Sequence, residues 1–97
     1  MYVVVQHQIK DPQVAFARGE ALMKGEGAPD GARALQFLPA SDGSAVTCLW
    51  VAPSVGAIQA YVDTTLGDSS VNDCYEVDAE RAFSAPADGI AEAPAFA

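Results

Sequence analysis

A chain of 97 residues, 51% of them hydrophobic, has room for one domain with a thin core, and leaves much of its apolar surface for something else to cover. Thirteen acidic residues against five basic ones give a formal charge of -8, which repels phosphate backbones and anionic membrane surfaces and argues against nucleic acid or membranes as partners. The acidic residues are scattered, as on a solvated surface.

Tyr-Val-Val-Val follows Met1 without a basic leader region or a small-residue cleavage site. The longest apolar runs are far shorter than the ~20 residues of a membrane span. The expectation is a soluble, cytoplasmic protein.

Tyr2 to Ile9 reads as a strand with Val3, Val5, His7 and Ile9 on one face and Tyr2, Val4, Gln6 and Gln8 on the other. Both faces are partly apolar, as in a central strand. Asp11-Pro12 opens a helix, because Asp caps the free amides of the first turn and Pro is tolerated at the first helical position. Its apolar stripe is read as Val14, Ala17, Ala21 and Leu22, flanked by Phe16 and Met23, and the Gly25 to Gly31 region ends it.

Ala32 to Leu38 and Ala45 to Val51 are strand-like runs joined by Pro-Ala-Ser-Asp-Gly-Ser, a connector of hairpin length. The second run is apolar on both faces and again suits a central strand. Pro53-Ser54 begins a second helix whose stripe is Val55, Ile58, Tyr61, Val62 and Leu66, stopped by Gly67. Asp68 to Asp73 reads as a polar loop and Cys74 to Glu80 as the last strand. Residues 1–83 form the domain. Residues 84–97 are an Ala- and Pro-rich tail, with Phe83, Ile90 and Phe96 as candidate anchors on the same subunit or on a partner.

The order βαββαβ with right-handed crossovers puts two helices on one face of a four-stranded antiparallel sheet whose central strands are the first and third, the α+β arrangement of a ferredoxin-like plait. The other sheet face then exposes apolar side chains, and a second copy packed sheet to sheet is the economical cover.

The segment Cys48-Leu49-Trp50-Val51-Ala52-Pro53-Ser54, leading into Ile58-Gln59-Ala60-Tyr61-Val62, together with this element order and the short polar hairpin, resembles the dimeric α/β-barrel superfamily over about residues 2 to 83. The resemblance implies a homodimeric dimeric α/β barrel that binds a small hydrophobic ligand or serves as an interaction module, without a cofactor. The alternative it implies is a cofactor-independent monooxygenase, isomerase or cyclase acting on a small hydrophobic substrate in the barrel cavity.

His7 is the catalytic candidate under that alternative, as a general base. Its parity with Val3 and Val5 instead predicts a structural or rim histidine beneath the helices. Gln6 and Gln8 are binding candidates for a space between two sheets. Trp50 could stack on a planar ligand, although core packing is the commoner role of a lone Trp. Glu76 is a binding or acid-base candidate if its face points into the barrel, and otherwise a charge that protects an edge strand.

Cys48, Cys74 and His7 invite a zinc reading. Cysteines on the outer strands of the trio start ~9.6 Å apart, too far for one tetrahedral ion, so no metal and no disulfide is expected. Asp63, Asp68 and Asp73 do not have the spacing of a calcium loop. No phosphate-binding glycine loop, nucleophile elbow or HExxH helix is present.

Overall fold

The computed structural model describes residues 1–86 and 88–92. The elements run β1 (Tyr2–Ile9), α1 (Pro12–Lys24), β2 (Arg33–Pro39), β3 (Ala45–Val51), α2 (Val55–Leu66), a short 3-10 turn (Gly67–Ser69) and β4 (Ser70–Glu76). The four strands form one antiparallel sheet in the order β2-β3-β1-β4, with both helices against one face, an α+β arrangement compatible with a ferredoxin-like plait.

Local chemistry places the helices. Asp11 caps α1, its carboxylate accepting from Val14 N at 3.2 Å, and Pro12 takes the first turn. The helix closes in a Schellman turn, with Gly25 N donating to Leu22 O and Glu26 N to Ala21 O. Ser54 caps α2 through Ala57 N at 3.1 Å.

Strand parity sets the layers. Val3 and Val5 of β1 lie beside Val46, Cys48 and Trp50 of β3, and all five are buried with Leu22, Ile58, Val62 and Leu66 of the helices. Tyr2, Val4, Gln6 and Gln8 share the other, uncovered face with Thr47, Leu49 and Val51. A register shift between Ala34 and Gln36 in β2 returns Phe37 to the helix side opposite Cys48.

Two sequence expectations change. The last strand runs from Ser70 to Glu76, so residues read as a polar loop are strand, and Asp78 and Glu80 lie beyond its end. Its buried face is polar: Ser70 and Asn72 point under the helices, while Val71 and Tyr75 are exposed. On α1 the expected Leu22 is buried, but Ala15 is the other buried residue, Gly19 borders the cavity, Val14 and Ala21 are only half-buried, and Ala17 faces solvent. Alanine and glycine give too little contrast in hydrophobicity to fix a helix's orientation from its sequence.

In the tail, Phe83 is 95% exposed and Ile90 58%, so neither anchors on this chain, and Phe96 lies outside the described residues.

Arg18 of α1 ties the two helices, donating to Leu66 O at 2.9 Å where α2 runs out of intrahelical donors. The chain turns away at Gly67 with φ +57° and ψ -135°, and a Cβ there would stand 3.1 Å from Arg18 Nη1. Gly67→Ala should therefore lower unfolding free energy by about 1–3 kcal/mol in urea titration. An unchanged midpoint would mean that the turn has another conformation in solution.

Candidate functional site

A cavity of about 300 Å³ lies between α1 and the sheet, partly open to solvent. His7, Val46 and Cys48 contribute from the sheet, and Ala15, Gly19 and Leu22 from the helix. The space exists because two of the three inward positions of α1 carry almost no side chain. A Cβ built at Gly19 would meet nothing within 4 Å. Phe16 of α1 and Phe37 of β2, both exposed and both lining the cavity, pack edge to face with ring centroids 6.4 Å apart, and Glu20 stands beside them.

The walls are apolar apart from His7 and Glu20, with Ile9, Met23 and Leu66 completing them. His7 is 5% exposed, and its Nδ1 lies 2.6 Å from Asn72 Oδ1 on the neighbouring β4. Asn72 Oδ1 also accepts from Ser70 Oγ at 2.6 Å, and Asn72 Nδ2 donates to Asp63 Oδ1 of α2 at 2.9 Å. Gln59 braces the far end, its Nε2 lying 3.0 Å from Asp63 Oδ2 and 2.8 Å from the Asn72 carbonyl. The hydrogen bonds thus run from an exposed carboxylate through a buried amide to the imidazole on the cavity wall.

Burial holds the His7 pKa below its ordinary value, against the opposing pull of the Asn72 hydrogen bond and the Asp63 charge. The imidazole is therefore neutral at pH 7. Burial also pushes the Cys48 thiol up to about 12, which leaves it protonated and poorly nucleophilic.

Of the site residues expected from sequence, only His7 borders this cavity. Gln6 and Gln8 stand on the opposite sheet face, exposed and two residues apart. Trp50 is 1% exposed in the core, edge to face with Tyr61 at 5.9 Å, and its indole nitrogen has no hydrogen-bond partner among the described residues. Tyr61 is buried with its hydroxyl donating to Glu26 O at 2.6 Å. Glu76 is exposed at the end of β4 opposite Val3, about 13 Å along the sheet from His7. Cys48 and Cys74 both pair with Val5, one on each side, and neither is in a disulfide. No group of three or more potential metal ligands comes together among the described residues.

Asn72, Gln59 and Ser70 escaped sequence reasoning as site residues, and Asp63 entered it only as a carboxylate of a rejected calcium loop. No sequence pattern marked them, because Ser70-Val71-Asn72-Asp73-Cys74 breaks the apolar-polar alternation at Asp73 and its polar members read as a wet loop.

Comparison of the chain with protein-family models, with curated proteins and with solved structures finds no match. No helix among the described residues is long and apolar enough to cross a membrane.

The His7 pKa generates a pH dependence with a definite sign. Below pH 6.5 the unfolded chain takes up a proton that the folded chain does not, so stability is full above about pH 6.5 and falls as pH drops toward the lower folded value. His7 is the only histidine, so its proton NMR signal should titrate with a midpoint below 6.5. His7→Gln should flatten the stability profile just below pH 6.5. A midpoint above 6.5 would contradict the buried neutral imidazole.

Proposed function

We propose that this chain is a binding module for small apolar molecules, with the site between α1 and the sheet. The observation that carries the reading is the cavity itself, about 300 Å³ walled mainly by Ile9, Leu22, Met23, Val46 and Leu66. That is the low end of the size of small-molecule sites, and an apolar cavity of about 150 Å³ is already enough to admit benzene. The test uses toluene, followed by calorimetry and by shifts of the methyl signals of Leu22 and Val46. Binding in the wild type and its loss in Gly19→Leu, a position on the cavity wall where an added Cβ would meet nothing within 4 Å, are expected. Failure of the wild type to bind toluene or any para-substituted toluene of similar size overturns the reading.

The enzymatic alternative, cofactor-independent monooxygenase, isomerase or cyclase chemistry with His7 as general base, shares this cavity and is supported by the buried imidazole on its wall. It differs from binding alone in requiring turnover that His7→Gln abolishes.

The assembly we infer is a homodimer joined through the uncovered sheet face, the arrangement implied by the resemblance to dimeric α/β barrels. Its support is the exposure of Tyr2, Leu38, Val71 and Tyr75 around the half-buried Val4, Leu49 and Val51 on one surface. Light scattering at tens of micromolar should give twice the 10.0 kDa chain mass. Leu49→Glu, opposite Val4 at the middle of that face, should return the 10.0 kDa species. A monomeric wild type overturns the dimer and leaves the cavity reading standing.

A further inference from the structure

The orientation of one amide decides which hydrogen bond the cavity can offer. Asn72 Nδ2 lies 2.9 Å from the Asp63 carboxylate, which can only accept, so the amide oxygen is the atom turned toward β1. Two groups meet that oxygen, Ser70 Oγ and His7 Nδ1, each at 2.6 Å, and both must donate to it. The single proton of the neutral imidazole therefore sits on Nδ1. Nε2 is left with a lone pair and has no hydrogen-bond partner among the described residues.

The surroundings narrow what that lone pair can meet. The neighbouring walls are apolar, so a ligand without a donor leaves Nε2 desolvated and unpaired, at a cost in affinity. A chain of formal charge -8, with Glu20 on the cavity rim, repels anions. The exposed rings of Phe16 and Phe37 offer edges and faces to a planar guest.

We propose that the cavity takes a small neutral aromatic molecule with one hydroxyl, a phenol, whose O–H donates to His7 Nε2, and that Asn72 and Asp63 are positioning residues that hold the imidazole as an acceptor. This rests on the cavity reading above and names the ligand class. A site whose one acceptor is cut off from water when the ligand enters discriminates strongly against an isostere that cannot donate. The low pKa of His7 is consistent with this, since a protonated ring would offer a donor instead.

The test compares 4-methylphenol, toluene and 4-methylanisole by calorimetry at about pH 8, where imidazole and phenol are both neutral. 4-Methylphenol should bind about ten-fold or more tightly than either of the others. In the free protein the nitrogen-15 spectrum of His7 should show the Nδ1–H tautomer alone. Asp63 is an exposed residue on the outer side of the network, so Asp63→Ala should fold. That variant should lower the phenol-to-toluene affinity ratio at least about threefold and mix the His7 tautomers, while Asp63→Asn, which keeps an acceptor, should restore much of both. Equal binding of all three molecules, or an Nε2–H tautomer in the wild type, overturns the inference and leaves the cavity reading intact. Binding of none of the three overturns the cavity reading and the inference with it.

Discussion

The pairing of β1 between β3 and β4 is the constraint on which the rest of the molecule depends. Because side chains alternate along a strand, fixing Val5 opposite both Cys48 and Cys74 commits Val3 and His7 to the helix side and Tyr2, Val4, Gln6 and Gln8 to the other. A slip of one residue would bring Gln6 into the core and expose His7. The same register brings His7 opposite Asn72, so the pairing that builds the core also builds the hydrogen-bonded wall of the cavity.

Burying a histidine, an asparagine and two serines beneath two helices is tolerable only if their polar atoms are satisfied. Four elements cooperate to do this: β1 supplies His7, the 3-10 turn and β4 supply Ser69, Ser70 and Asn72, and α2 supplies Asp63 and Gln59. The network is polarised in one direction. The carboxylate at the surface orients the amide, the amide orients the imidazole, and the imidazole ends on a wall of aliphatic side chains. Low local dielectric strengthens each of these contacts and makes a lone pair left facing apolar groups expensive. The cavity is the price of the small residues at Ala15 and Gly19, where a larger pair would have brought the helix surface down onto Val46 and Cys48.

The two sheet faces therefore carry separate chemistry. The covered face holds the core, the cavity and the only histidine. The open face carries Gln6 and Gln8 among exposed tyrosines and aliphatic residues, a composition suited to meeting another surface. Gln6 and Gln8, expected to face a space between two sheets, and Trp50, expected either to stack on a ligand or to pack in the core, thus lie on opposite sides of one sheet. Glu76 stands apart from both, at the far end of β4.

Local sequence determined most of the elements. The limits of β1 and β3, the caps at Asp11 and Ser54, the stops at Gly25 and Gly67 and the helix-side parity of His7 follow from propensity, capping chemistry and period, which act over a few residues. The start of β4 was not legible, because Ser70 and Asn72 are polar and pattern reading equates polarity with exposure. What makes their burial possible is the set of partners supplied by α2 and by His7, which is 65 positions away from Asn72. The cavity was not legible either, since a void is a property of the distance between α1 and the sheet and not of any one residue. Sequence alone thus decided which face His7 occupies. Only the tertiary structure decided that the face is hollow at that point and which ring nitrogen is left free, because both depend on atoms brought together from distant parts of the chain.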